Sequence, residues 1–98
     1  MIMEYKITRD TLYTCDKYGN IIREICKSVN SASYSESTKL FLVTFLNGKV
    51  ETRDTHGNRV RVISEGAIDA KFDGQNILVR TKSGNKIVDK FGNIIRRV

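Results

Sequence analysis

The chain contains no proline and no tryptophan, and only two cysteines and one histidine among its 98 residues. Without proline, every chain reversal must come from residues that tolerate positive φ or hydrogen-bond their own backbone. Seven glycines, together with Asn and Asp, supply these. Two cysteines are too few to build a zinc site. A turn at Lys17 to Gly19 would set Cys15 opposite a residue near Ile21, and Cys26 opposite one near Asp10. They would not be cross-strand neighbours, so both are expected as reduced thiols. The single histidine, His56, lies in a turn sequence, and no Ser/Cys-His-acid arrangement can be drawn around it. No phosphate-cradling loop, dinucleotide fingerprint or calcium loop is present. The reading is a non-enzyme with no catalytic residue, metal ligand or cofactor.

Long apolar runs are also missing. The longest, Leu40 to Leu46, is broken by Thr44 and falls far short of a bilayer span. Met1-Ile2-Met3-Glu4-Tyr5-Lys6 has no apolar core of the kind a secretory leader needs. The expectation is a cytoplasmic protein with no membrane partner. Its composition, 40% hydrophobic and 29% charged, is that of an ordinary globular domain, here one domain over 1–98. The net charge is +6, with the 17 basic residues dispersed and no block of five. A dispersed positive balance serves either as a solvated surface or as a binding surface for an acidic partner.

What the chain does have is a ten-residue pattern that recurs. Asp16-Lys17-Tyr18-Gly19-Asn20-Ile21-Ile22-Arg23-Glu24-Ile25 is followed by Asp54-Thr55-His56-Gly57-Asn58-Arg59-Val60-Arg61-Val62-Ile63. The third copy is Asp89-Lys90-Phe91-Gly92-Asn93-Ile94-Ile95-Arg96-Arg97-Val98. The three Asp residues are 38 and 35 positions apart, a period typical of repeat architectures. Asp-x-x-Gly-Asn between β-branched runs reads as a tight turn joining two strands, and glycine in mid-window argues against helix. The likeness extends upstream. Ala32-Ser33-Tyr34-Ser35 matches Ala70-Lys71-Phe72-Asp73, and Lys39 to Gly48 matches Gln75 to Gly84. Units fall at about 28–64 and 66–98, each of four short strands. A first unit at 1–27 has room for three, with Glu4 on Ile77, Thr11 on Gly84 and Asp16 on Asp89.

Four antiparallel strands in such a unit is the size of a propeller blade. Val29-Asn30-Ser31-Ala32-Ser33-Tyr34-Ser35 with Lys39-Leu40-Phe41-Leu42-Val43 resembles the opening strands of a WD-repeat blade. Asn85 to Arg96 is similar to the closing hairpin of NHL-type blades, and Asp-x-x-Gly-Asn resembles the YD-repeat hairpin of Rhs shells. Neither a Trp-Asp dipeptide nor a Gly-His pair accompanies them. The resemblance implies an all-β chain, an antiparallel meander of about three propeller-like blades with the first incomplete. A small barrel or sandwich is the alternative.

Two sets of repeat-equivalent residues are the binding candidates. Arg23, Arg61 and Arg96 occupy one position of each unit's last strand. They would either contact phosphates or carboxylates, or guard an exposed strand edge against mispairing. Tyr18, His56 and Phe91 occupy one position of each turn, there to stack on a ligand or to fold back over the hairpin. The expected function is an interaction module for a protein partner. The alternative is binding of nucleic acid or another polyanion. An incomplete first unit would leave a strand edge near Met3 to Ile7, from which self-association into a homo-oligomer is expected.

Overall fold

The computed structural model describes residues 4–98; Met3, at one end of the edge just named, lies outside them. The chain is all-β, and no helix occurs among the described residues. The strands are β1 (Glu4–Thr8), β2 (Thr11–Cys15), β3 (Ile21–Cys26), β4 (Val29–Ser35), β5 (Leu40–Phe45), β6 (Val50–Arg53), β7 (Arg59–Ser64), β8 (Ala67–Asp73), β9 (Asn76–Thr81), β10 (Gly84–Val88) and β11 (Ile94–Arg97). They form three open antiparallel sheets rather than one closed barrel. Sheet I has the order β1-β2-β3, sheet II β4-β5-β6-β7 and sheet III β8-β9-β10-β11. Every neighbouring pair is joined by a short connection, so each sheet is a meander.

The sheets pack in sequence through two cores. Between sheets I and II, Leu12, Ile25 and Cys26 meet Val29, Phe41 and Val43, with Tyr34 and Phe45 at the margin. Between sheets II and III, Leu42, Val50 and Ile63 meet Ala67, Ile77, Val79 and Val88. The alternation of a strand explains the division. On β5, Phe41 and Val43 point to sheet I, while Leu42 points to sheet III. Leu40 to Phe45 is therefore a nearly continuous apolar run because both of its faces are covered.

The end faces obey the opposite rule. Where β5 has Phe41 and Val43, and β9 has Ile77 and Val79, the equivalent positions of β1 are Glu4 and Lys6. Where β5 has buried Thr44, β9 has exposed Arg80, held by Asp69 through Nε and Nη2 at 2.7 and 2.6 Å. Apolar residues thus give way to charged ones on the faces that no third sheet covers among the described residues.

Backbone bonds repeat from one junction to the next. The amide of Val29, opening β4, donates to Asp10 O at 2.8 Å, and that of Ala67, opening β8, donates to Gly48 O at 2.9 Å. Each ties the first strand of a sheet to a hairpin of the sheet before. The crossovers 27–28 and 65–66 are only two residues long and turn through left-handed backbone at Ser28 (φ 61°) and Gly66 (φ 67°).

The three Asp turns are built alike. In the first, Asp16 Oδ1 accepts from the amides of Tyr18 and Asn20 at 2.9 Å, and Gly19 N donates to Asp16 O. Asp54 and Asp89 make the same bonds with His56 and Asn58 and with Phe91 and Asn93. Amide donors, that of Asn20 foremost, hold the Asp16 carboxyl below its ordinary 3.8, and that of Asn93 does the same for Asp89. At Asp54 desolvation opposes the shift, but the donors from Asn58 and His56 outweigh it.

The turn glycines differ in what lies beside them. All three have φ between 84° and 91°. A Cβ on Gly92 would lie 2.8 Å from Ile63 O, and one on Gly57 would lie 3.1 Å from Ile25 O, whereas Gly19 has nothing within 4 Å. Each later turn rests on the last strand of the preceding sheet, and the first turn rests on none among the described residues.

Two outcomes follow from these turns. Gly19→Ala carries only the left-handed strain, about 1–2 kcal/mol. Gly92→Ala adds displacement of the β7 backbone, so its denaturation midpoint is expected to fall further than that of Gly19→Ala. Because the folded Asp pKa values lie below 3.8, their stabilisation is present above that value and is lost as pH falls through the folded pKa. Urea denaturation is expected to show stability level at neutral pH and declining below about pH 4. The Asp16→Asn, Asp54→Asn, Asp89→Asn triple variant is expected to decline less steeply.

Candidate interaction surface

The last strand of each sheet is exposed along most of its length. The first four residues of β3 and β7, and all of β11, stand in solvent. The alternation that separates an inner from an outer face has lapsed here, and only Ile25 and Cys26 of β3 and Ile63 of β7 reach the cores. Arg23, Arg61 and Arg96 all lie on it, and all are exposed. So do Ile21, Ile22, Val60, Val62, Ile94 and Ile95, which sequence reasoning treated as ordinary strand residues. Ile22, Val60 and Ile95 occupy one repeat position, each directly before the Arg. That register was the signal available, but only the sheet packing shows that the position is uncovered.

Tyr18, His56 and Phe91 sit at the tips of the turns leading into these strands and are exposed, Tyr18 by 77% and Phe91 by 50%. The structure brings the arginine and aromatic sets together at one junction. Arg61 Nε donates to Phe91 O at 3.1 Å, and its guanidinium lies 5.5 Å from the Phe91 ring. The arginine of sheet II thus meets the turn of sheet III. Lys90 lies 5.3 Å from the same ring, and Lys17 lies 5.2 Å from Tyr18. Arg23 makes no such bond to His56 among the described residues.

Two further polar clusters lie away from this margin. Glu51 is buried and accepts from Arg53 at 2.9 and 3.1 Å, with Lys49 Nζ at 3.3 Å and Arg59 at 3.6 Å. A carboxylate desolvated this far needs such cations around it, and the group ties β6 to the start of β7. Between β4 and β8 a groove of about 410 Å³ is lined by Ser31, Ser33, Asp69, Lys71 and Arg80. The hydroxyls of Ser31 and Ser33 are buried there without a hydrogen-bond partner among the described residues.

Both cysteines are free and buried. Cys15 pairs with Ile21 as the spacing predicts. Cys26 pairs with Leu12 rather than near Asp10, because bulges at Leu12/Tyr13 and Thr14/Cys15 shift the register. Burial pushes the Cys26 thiol up to about 11, against the pull of Arg53, so it is not an activated nucleophile. Among the described residues no cluster of three His, Cys, Asp or Glu side chains could hold a metal ion. No helix among the described residues is long and apolar enough to cross a membrane.

Thiol titration checks the buried cysteines. Neither Cys15 nor Cys26 is expected to react with an aromatic disulfide reagent at pH 8 in the native protein, and both are expected to react in denaturant. Fast labelling of the folded chain would contradict their burial. Compared with known proteins, the chain matches no described protein family and no curated protein.

Proposed function

We propose that the chain is a non-enzymatic interaction module that binds a protein partner along the margin formed by β3, β7 and β11 and their turns. The three meandering sheets serve as successive blades of a propeller-like array, and the margin is its rim. One observation carries the reading: exposed Ile22, Val60 and Ile95 lie beside exposed Arg23, Arg61 and Arg96 at matching positions of all three sheets. Uncovered aliphatic side chains next to arginine provide both desolvation gain and bidentate donors for acidic side chains. Aromatic and arginine anchors are the residue types that dominate protein interfaces. The partner that fits is a protein surface with carboxylates around an apolar centre.

A second reading, polyanion binding, has its own observation. Lys17 over Tyr18, and Arg61 and Lys90 over Phe91, place cations against exposed rings. Such pairs accept stacked bases and phosphates together.

The test compares wild type with two triple variants, Arg23→Ala, Arg61→Ala, Arg96→Ala and Ile22→Ser, Val60→Ser, Ile95→Ser. Each is expected to keep its fold by circular dichroism and to lose about tenfold or more in affinity for the protein that wild type captures from a cell extract. Capture unchanged in both variants would overturn the rim assignment. Fluorescence anisotropy with generic single-stranded DNA or RNA separates the second reading. The protein-partner reading expects no binding at about 50 mM salt, whereas a steep loss of affinity with rising salt would establish the polyanion one.

A further inference from the structure

β1 is an edge strand, and its hairpin fixes which of its backbone groups are free. Thr8 and Thr11 close a two-residue turn through Arg9 and Asp10, both left-handed at φ 50° and 62°. In such a hairpin the closing residues exchange both hydrogen bonds. Alternation from Thr8 directs the amides and carbonyls of Lys6 and Glu4 to β2, and those of Tyr5 and Ile7 to the open edge.

Sheets II and III place a further strand, β4 or β8, at this edge; sheet I has no counterpart among the described residues. The side chains record the difference. Leu42 and Thr44, flanked by Ser33 and Ser31 of β4, are each 1% exposed, while their equivalents Tyr5 and Ile7 are 37% and 39% exposed. Stacking a further sheet on the outer face of sheet I would bury Glu4 and Lys6. The edge therefore offers unpaired backbone and partly uncovered apolar side chains, whereas the outer face offers charge.

We propose that this edge is completed by β1 of a second copy of the chain, antiparallel, about a two-fold axis through Tyr5. The inference is independent of the rim and its partner. Registers that oppose outward-facing backbone to outward-facing backbone and overlap at least three residues of β1 centre the axis on Tyr5, Lys6 or Ile7. Centring on Lys6 sets the two Lys6 ammonium groups against each other. Centring on Ile7 sets Lys6 opposite Thr8 and Tyr5 opposite Arg9. Centring on Tyr5 pairs Glu4 with the second copy's Lys6 and Lys6 with its Glu4, and stacks Tyr5 on Tyr5. Opposite charges and aromatic pairs directly across antiparallel strands stabilise, while like charges destabilise. Lys6 Nζ donates to Gly19 O at 3.0 Å in the single chain and keeps further donors for the carboxylate. The product is a continuous six-stranded sheet, β3-β2-β1 joined to its two-fold mate, and a two-fold contact uses both edges at once.

Sedimentation over a wide concentration series tests this, using wild type, Glu4→Lys, Lys6→Glu and the double variant Glu4→Lys, Lys6→Glu. Wild type is expected to shift with concentration from the 11.2 kDa chain to twice that mass. Each single variant sets like charges opposite at both ends of the pair and is expected to associate about tenfold or more weakly. The double variant exchanges the charges and is expected to associate like wild type. An equimolar mixture of the two single variants is expected to form the heterodimer that neither forms with itself. Both substitutions lie on β1, at exposed Glu4 and half-buried Lys6, and circular dichroism is expected to stay that of the folded chain. Wild type remaining at the single-chain mass throughout would overturn the proposal. So would single variants that associate as tightly as wild type, because then the charges do not face each other.

Discussion

Sheet II is covered on both faces, and the rest of the architecture follows from that burial. A four-stranded meander of this length cannot bury its own side chains; its apolar surface must be covered by another layer. Phe41 and Val43 on one side and Leu42 and Val50 on the other are each 1% exposed or less. They supply one wall of each core. Sheets I and III each contribute one apolar face, and their opposite faces turn to charge at Glu4, Lys6, Lys71 and Arg80. The same strand position thus carries a valine or a lysine according to whether a sheet lies above it.

Face-to-face burial sets the distance between sheets but not their alignment along the strands. The alignment comes from backbone bonds and from glycine. Val29 N to Asp10 O and Ala67 N to Gly48 O pin the first strand of each later sheet. At the other side, the turns at Gly57 and Gly92 press onto the carbonyls of Ile25 and Ile63; a Cβ would lie 3.1 Å from the first, which would have to give slightly, and 2.8 Å from the second, too close for a Cβ without a backbone shift. A positive φ alone would have explained glycine in these turns. The close approach supplies a second reason, present at two of the three, and it couples the hairpin of one sheet to the last strand of its neighbour.

The exposed margin is a consequence of this packing. The cores take in only the ends of β3 and β7 and leave their first four residues, and all of β11, exposed, so aliphatic residues there stand in solvent beside arginine. The contact of Arg61 with Phe91 joins the two candidate sets at one junction, offset by one sheet. Their equivalence in position was legible from the aligned repeats; their juxtaposition was not, because it joins residues 30 positions apart across an inter-sheet boundary.

The sequence by itself determined the all-β class, the three Asp turns, the strand count of each unit and the two reduced thiols. All of these rest on local chemistry: Asp beside Gly-Asn, alternation of side chains, and spacing along a hairpin. Only the tertiary structure decided which face of each strand is buried, since Leu42 and Val43 look alike in the sequence yet belong to different cores. It alone set the bulged register that puts Cys26 opposite Leu12, and it alone showed that Ile22, Val60 and Ile95 are uncovered. Burial is a property of neighbouring layers, and the chain carries no local mark of which layer will lie above a given residue.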